Sequence, residues 1–330
     1  ATMVHAVGGM GATSVLTHLA AAIADDGGCG SRVCLIDLDL QFGEVAVQMG
    51  LTPQNSVLDL LEAGERLDGD LIRDTAVQTK YGHYIIAAPS QITPLEDVDV
   101  DRLLRMLTLA RREYDYVLLD LPVNWTNWSL SAALACSEML ILTDQSIGGL
   151  RQTKRCLDLF DMMDVPRENL QLIVNRAEKK MFQSIGVHEV ADTLHRNVSA
   201  TIAEDKAGLE SAQDQDVLLG EINKKAPFAR DVARLAEQMC QRHGDKPDEM
   251  VGQARRGPGP AGWRHPDGGT ADAGRRAGRG EETRAGPEGV DPPRSARQDQ
   301  PVRAGTDAAR TDPHRNFRNH RRDPAAAART

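Results

Sequence analysis

The stretch Val7-Gly8-Gly9-Met10-Gly11-Ala12-Thr13-Ser14 decides the fold of this 330-residue chain. It follows a short apolar run, Met3–Val7, and it opens an alanine-rich helical run over Val15–Ala24. Glycines let backbone N–H groups curve around an anion without a Cβ in the way. The helix that follows adds its unpaired N–H groups and the positive end of its dipole. A strand, a glycine-rich turn and a helix in this order therefore predict a nucleotide phosphate site.

The glycine-rich turn lacks the lysine that a phosphate-binding loop normally carries. The pattern G-x-x-x-x-G-K-[ST] places a lysine at the position of Ala12, whereas the hydroxyl residues Thr13 and Ser14 are retained. The sequence therefore predicts phosphate binding by backbone amides without that positive side chain.

Apolar strands alternate with amphipathic helices along the first 245 residues, as hydrophobic periodicity and capping residues indicate. The predicted strands are Arg32–Leu40, Tyr84–Pro89, Tyr114–Pro122, Met139–Thr143, Leu170–Asn175 and Val198–Ala203. The predicted helices are Val57–Ala63, Gly69–Thr79, Val100–Arg112, Gly149–Met163, Gly186–Leu194 and Ala229–Arg242, with Ser56 capping the first. Strands that are apolar on both faces need helices on both sides of a mostly parallel sheet. We therefore predict a three-layer α/β fold.

Acidic residues stand at the ends of two of these strands. Asp37 and Asp39 share one side of the second strand because side chains alternate with period two, and Asp120 ends the fourth. A carboxylate at the end of a buried strand is costly unless a cation meets it. In parallel sheets that end is also where ligands bind.

The charge is divided unevenly between the body of the chain and its C-terminal part. Residues 251–330 contain 16 arginines, no lysine and 10 acidic residues, a net charge of +6, against −15 for residues 1–250. An acidic body argues against sequence-independent nucleic-acid binding. The proline- and arginine-rich part has no hydrophobic periodicity, so we expect a disordered tail over 246–330, or the product of an out-of-frame gene segment.

The remaining composition predicts a cytoplasmic protein. The five cysteines contain no C-x-x-C pair and are expected to be free thiols: Cys29, Cys34, Cys136, Cys156 and Cys240. No apolar run approaches the ~18 residues of a membrane-spanning helix, and no signal peptide is recognisable.

Three further segments carry a family resemblance. The run Leu35–Ala46 reads L-I-D-L-D-L-Q-F-G-E-V-A, Tyr116–Pro122 reads Y-V-L-L-D-L-P, and Val174-Asn175-Arg176 stands at the end of a later strand. With the glycine loop, they make the chain resemble the MinD/ParA group of deviant-Walker P-loop ATPases over nearly all of residues 1–245. Within that group it is most similar to the CpaE/TadZ proteins of tight-adherence (Flp) pilus assembly.

The resemblance implies a role for each matching position, with ATP and Mg²⁺ as ligands. The phosphates would be held by Gly8, Gly9, Met10, Gly11, Ala12, Thr13 and Ser14. The Mg²⁺ shell would be bound or oriented by Thr13, Asp37 and Asp120, the attacking water positioned by Asp39, and the adenine recognised by Asn175 with Arg176 beside it. It also implies a homodimer, partners in the pilus (type II–IV) secretion machinery including its secretion ATPase, peripheral association at the cell pole, and a receiver-like domain before residue 1.

The chain departs from the family at both lysines of its first loop. Val7 and Ala12 stand where the family pattern x-K-G-G-x-G-K-[ST]-[ST] has them. Because these cations stabilise the transferring phosphoryl group, we expect ATP hydrolysis to be weak or absent. CpaE/TadZ relatives often carry degenerate first loops, so the loss agrees with that subfamily.

Two other classes of function remain open at this point. Gly9-x-Gly11-x-x-Ser14 half-matches a dinucleotide-binding fingerprint, with Asp37 near the ribose-binding position, so an NAD(P)-dependent oxidoreductase is one alternative. The third glycine is missing there, and no Tyr-x-x-x-Lys pair occurs. A scaffold without nucleotide is the other, because Trp125 and Trp128 suit a partner surface.

Overall fold

The computed structural model describes residues 1–5, 8–25, 29–92, 94, 98–177 and 185–244. These residues belong to one compact unit. The tail predicted over 246–330 and the position of Val7 lie outside the described residues.

Within the described residues, eight strands form one sheet. They are β1 (Thr2–His5), β2 (Val33–Asp37), β3 (Val77–Gln78), β4 (Tyr84–Ile86), β5 (Tyr116–Asp120), β6 (Met139–Thr143), β7 (Leu170–Ala177) and β8 (Val198–Ala203). Their order is β3-β4-β2-β5-β1-β6-β7-β8. All neighbouring strands are parallel except the edge strand β3, which is antiparallel to β4.

The strand order argues against the oxidoreductase alternative. In the dinucleotide-binding fold the first two strands are direct neighbours. Here β5 lies between β1 and β2, pairing with both of them. The first strand is therefore at the centre of the sheet, and the loop that follows it lies next to the end of β5.

Helices connect the strands. They are α1 (Ala12–Ala24), α2 (Val45–Gln48), α3 (Val57–Glu62), α4 (Gly69–Thr75), α5 (Val100–Glu113), α6 (Asn127–Leu134), α7 (Ile147–Met162), α8 (Val187–Leu194), α9 (Lys206–Gln213), α10 (Leu219–Ile222) and α11 (Pro227–Gly244). Short polar side chains cap the N-termini of several helices. Ser56 caps α3, as predicted, and the structure adds a reciprocal hydrogen bond from the Ser56 backbone N–H to Asp59.

The sheet separates two hydrophobic cores. Buried residues of α3 to α8 pack on one face, with Leu60, Leu103 and Phe160 among them. Those of α1, α2, α9, α10 and α11 pack on the other face, including Leu16 and Leu235. The central strands β2 and β6 are buried along their whole length. These two cores confirm the three-layer α/β prediction.

Several predicted elements differ from the structure. The helix expected over Gly69–Thr79 ends at Thr75, because Ala76 is extended and Val77 pairs with Ile85 in β3. The short helices α2, α6, α9 and α10 lie where the sequence predicts no element. They have four to eight residues, too few for a hydrophobic period to stand out.

The free-thiol prediction is wrong for two of the five cysteines. Cys29, in the loop after α1, forms a disulfide with Cys240 of α11, and their Cα atoms are 6.2 Å apart. Packing of α1 against α11 brings the two positions together, which their separation of 211 residues conceals in the sequence. Cys34 and Cys156 are buried free thiols, and Cys136 is a half-buried one.

The two tryptophans proposed as partner anchors pack against the core instead. Trp128 lies in α6 with 3% of its surface exposed. Trp125 is half-buried and meets the Phe160 ring edge-on, with 5.6 Å between the ring centroids. Packing under the loop after β5 therefore accounts for the position of both rings.

No helix in the described part of the chain is long and apolar enough to span a membrane.

Candidate functional site

The glycine loop, residues 8–14, has a backbone shape that requires glycine at two positions. Gly9 and Gly11 have φ angles of +73° and +81°, a left-handed conformation that residues with a Cβ disfavour. A Cβ added to Gly11 would also lie 3.3 Å from the Asn175 Nδ2 atom. The loop is therefore folded tightly against the end of β7.

Helix α1 begins in this loop without a side-chain cap. Gly11 is the N-cap residue, and it makes no side-chain hydrogen bond to the first turn. The first N–H groups of a helix have no acceptor within it, and the dipole adds partial positive charge there. The backbone of Ala12, Thr13 and Ser14 thus presents donors and a positive potential suited to an anion.

Two buried carboxylates lie side by side next to the loop. Asp37 at the end of β2 and Asp120 at the end of β5 face each other in the strand register. Their exposed fractions are 1% and 3%. The Asp37 carboxylate accepts hydrogen bonds from the N–H groups of Asp39 and Val45, each at 3.1 Å. The Thr13 hydroxyl donates to Asp120 Oδ2 at 2.6 Å, which joins the loop to the acidic pair.

The acidic pair has raised pKa values. Burial and the neighbouring charge of Asp120 hold the pKa of Asp37 well above its usual range. Burial also raises the pKa of Asp120 to about 6, with the charge of Asp39 adding to the rise and the Thr13 hydroxyl opposing it. A bound cation would stabilise the ionised carboxylates of Asp37 and Asp120, because it would replace the hydrating water that burial removes.

A Mg²⁺ ion fits this set of donors. The Thr13 hydroxyl and the carboxylates of Asp37 and Asp120 offer the hard oxygen atoms that Mg²⁺ prefers. In the described ranges no three His, Cys, Asp or Glu side chains are close enough to hold a metal ion by themselves. An ion bound here would therefore take further oxygens from phosphate and water, as Mg²⁺ does in nucleotide sites.

Asp39 lies in the turn that follows β2. Its side chain is half-buried, and its Oδ1 atom accepts hydrogen bonds from the N–H groups of Gln41 at 3.3 Å and Phe42 at 3.1 Å. The carboxylate is near enough to Asp37 and Asp120 to raise both pKa values. Its role in positioning water stays a prediction.

Asn175 and Arg176, at the end of β7, both contact the glycine loop. The Asn175 side chain is buried, and its Nδ2 group donates to the carbonyl oxygen of Met10 at 2.7 Å. The exposed Arg176 donates from Nη2 to the carbonyl oxygen of Gly9. The structure thus brings both residues to the glycine loop, where the Asn175 amide bonds to Met10. Adenine recognition by Asn175 stays a prediction.

The structure describes one of the two positions at which the family has a lysine. Ala12 is the first residue of α1 and is buried, with 5% exposed, so no cation extends from this point of the loop. Val7, the other position, lies outside the described residues.

Two residues near Asp37 have structural roles that the sequence did not suggest. A Cβ on Gly43 would lie 2.5 Å from Asp37 Oδ2 and would also clash with Ala88. Val45 donates its backbone N–H to the same carboxylate oxygen. Both residues lie in the F-G-E-V run after Asp39. This run comes close to Asp37 only in the folded turn, so the sequence did not indicate either contact.

A glycine loop opening a central helix, a loop hydroxyl bonded to a strand-end aspartate and a mostly parallel sheet between two helical layers define the class of P-loop nucleotide-binding proteins. The chain belongs to the AAA domain family AAA_31, whose family model matches residues 1–165. Its similarity to septum site-determining MinD proteins supports the MinD/ParA group of P-loop ATPases. The resemblance to that group is confirmed.

Three relatives illustrate the match. A putative septum site-determining protein MinD of Oltmannsiellopsis viridis is 29% identical over 206 residues, covering 60% of this chain and 62% of the relative. Less than two thirds of that relative is therefore matched. The crystal structure of a ParA family ATPase from Chlorobium tepidum has a TM-score of 0.64 at 21% identity, covering 71% of this chain and 96% of its own.

MinD of Pyrococcus horikoshii, solved in complex with Mg-ADP, has a TM-score of 0.60 at 20% identity, covering 77% of this chain and 97% of its own. At these identities the two solved structures bear on the fold alone.

Proposed function

We propose that the chain binds ATP with Mg²⁺ at the glycine loop. The observation that carries the proposal is the 2.6 Å hydrogen bond from the Thr13 hydroxyl to Asp120, in the first turn after the loop. It places a hydroxyl and a carboxylate, the oxygen ligands of nucleotide-bound Mg²⁺, beside unpaired helix amides. The Mg-ADP complex of the Pyrococcus relative supports the same ligand class.

Each group of the site has a part in this proposal. The backbone N–H groups from Gly8 to Ser14 hold the phosphates. Thr13, Asp37 and Asp120 hold or orient the metal shell, and a bound Mg²⁺ would neutralise charge on the phosphate oxygens. Thr13 has to turn its hydroxyl proton away from the metal, which its present bond to Asp120 already does.

Hydrolysis is expected to be slow or absent. Loss of one pre-organised donor from a developing charge costs about 10² to 10³ in rate. Ala12 provides no such donor, and Val7 stands where the family has its other lysine. The amides of Gln41 and Phe42 both bond to Asp39 Oδ1, so the carboxylate would position water through its other oxygen.

Calorimetry with ATP, with and without Mg²⁺, tests the nucleotide proposal. We expect binding to ATP that strengthens with Mg²⁺, and no binding to NADH. Thr13→Val removes the hydroxyl at nearly constant volume and should abolish the Mg²⁺-dependent gain while leaving Mg²⁺-free binding in place. Thr108→Val, on the exposed face of α5, is the matched control. ATP binding that is equal with and without Mg²⁺ in the unaltered protein would contradict the proposed metal site.

We further propose that the protein is a CpaE/TadZ-type localisation factor for a Flp pilus. The support is the family membership together with a first loop that lacks its lysines, as such proteins often do. A homodimer that associates with the cytoplasmic side of the secretion machinery and its ATPase would fit this role.

Gene deletion with complementation tests the pilus role. Loss of Flp pili and of polar fluorescence of a tagged secretion ATPase is expected, with recovery on complementation by the full chain. Normal pili in the deletion strain would reject this role and leave the nucleotide proposal unaffected. A scaffold without nucleotide is the outcome if pili are lost but the protein binds no ATP.

A further inference from the structure

The glycine loop lacks a lysine, yet a positive charge already contacts it. The Arg176 guanidinium donates a hydrogen bond from Nη2 to the carbonyl oxygen of Gly9. In the part of the chain that the structure describes, Arg176 is the cation that touches this loop. Its side chain is exposed, so four of the five guanidinium N–H groups are not used in this contact.

An unusual backbone conformation aims Arg176 at the loop. In a regular strand, neighbouring side chains point to opposite faces of the sheet. Asn175 and Arg176 are neighbours in β7, but they contact the consecutive loop carbonyls of Met10 and Gly9. Arg176 has a φ of +54°, and the register of β7 with β8 shifts between Val174 and Ala177. The left-handed residue breaks the alternation and turns both side chains to the loop.

The two neighbours differ in what they can offer a ligand. Asn175 is 4% exposed and its amide nitrogen is bonded to Met10, so its present role is to hold the loop. Arg176 is exposed and charged. A guanidinium is the group best suited to paired hydrogen bonds with phosphate oxygens, and it keeps its charge at all working pH values.

We propose that Arg176 supplies the nucleotide phosphates with the positive charge that Ala12 cannot provide. The inference rests on the proposed nucleotide function and concerns a binding residue of that same site. A left-handed conformation at a residue with a long side chain costs stability, and such strain is commonly retained where function uses it. The cost is consistent with Arg176 being placed for a ligand and not for the fold.

The conformation also provides a clean variant. Glycine adopts φ of +54° without penalty, so Arg176→Gly removes the guanidinium and relieves the backbone. We expect its melting temperature to be unchanged or higher. Calorimetry of the full chain in Mg²⁺ should show ATP affinity reduced by about tenfold to a hundredfold, the range for one charge-assisted hydrogen bond. Adenosine carries no phosphate, so we expect its affinity to change by less than about twofold, which is below the usual effect of losing one hydrogen bond.

Two further variants test the charge itself. Arg176→Gln keeps a donor for Gly9 but removes the charge, and it should lose ATP affinity nearly as much as Arg176→Gly. Ala12→Lys in the Arg176→Gly background should restore much of that affinity, and it should add less to the unaltered protein. Asp164→Gly is the backbone control, because Asp164 also has a φ of +54° but lies in the turn before β7. It should leave ATP affinity unchanged.

Three results would overturn the inference. Equal losses for ATP and adenosine in both Arg176 variants would assign Arg176 to the base or ribose. Unchanged ATP affinity in both would show that the charge is not used. If the unaltered protein binds neither ATP nor adenosine, the proposed function itself fails. This outcome can be distinguished from the first two, because both of those require that the unaltered protein binds the ligand.

Discussion

Burial beside Asp37 makes the carboxylate of Asp120 costly to ionise in the absence of a ligand. Its folded-state pKa of about 6 exceeds the 3.8 of an ordinary aspartate. Between these values the folded protein holds a proton that the unfolded chain has released, so stability falls as the pH rises through this range. The cost is absent below about pH 4 and complete above about pH 6, and the site carries it at neutral pH.

Asp120→Asn should therefore stabilise the ligand-free protein at pH 7. Asparagine still accepts a hydrogen bond from Thr13 but cannot ionise, so we expect a gain of about 1 to 3 kcal/mol in the free energy of unfolding. Denaturation in urea at pH 4 and pH 7 checks this, and the gain should disappear at pH 4. Asp101→Asn, at an exposed position of α5, should change stability by less than about 0.5 kcal/mol at either pH. A loss of stability at pH 7 in Asp120→Asn would contradict the raised pKa.

Single residues of the site were predictable to different degrees. Thr13, Asp37 and Asp120 follow from spacing, because a hydroxyl after a glycine loop and acids at strand ends converge at one edge of a parallel sheet. The contacts of Asn175 and Arg176 with loop carbonyls depend on a left-handed residue and a register shift. No local sequence pattern predicts either feature.

At the level of elements, the disulfide between Cys29 and Cys240 fastens the loop after α1 to α11. Both helices belong to the same core, and α11 is the last helix of the described chain. A crosslink over 211 residues restricts the unfolded chain over most of the folded body.

Reduction should accordingly weaken the fold. We expect Cys240→Ser to lower the free energy of unfolding by about 2 to 5 kcal/mol, the usual range for a native disulfide. Thermal melting with and without dithiothreitol checks this. The reductant should destabilise the unaltered protein and leave Cys240→Ser unaffected. An unaltered protein whose melting temperature ignores the reductant would show that the bond does not stabilise the fold.

Elements with a strong local signal were predicted well. Strands Met139–Thr143 and Val198–Ala203 match the structure at both ends, and the period of Val100–Arg112 located α5 to within one residue. Helix α6 was missed because its start depends on a reciprocal cap between Thr126 and Ser129, and its apolar residues include no clear stripe. The antiparallel strand β3 was missed because two residues carry no period.

At the scale of the whole molecule, the described residues form two closed cores without residues 246–330. We expect deletion of 246–330 to leave the melting temperature unchanged, because their composition offers little apolar surface to offset the entropy of ordering. Calorimetry of the truncated and full-length proteins measures this. A decrease of several degrees on truncation would mean that the deleted segment packs on the body.

The central place of β1 has a consequence for synthesis. Among the described residues Thr2–His5 pairs with β5 and β6, so during synthesis this strand waits for partners that end at Thr143. At ~5 to 20 residues per second this delay is roughly 7 to 30 s. During this delay the apolar strand β1 and the glycine loop after it lack their neighbouring strands, and they are accessible to chaperones and to other nascent chains. The glycine loop is thus made well before the strands that complete its site, and ATP cannot assist the folding of this body until β5 and β6 have been made.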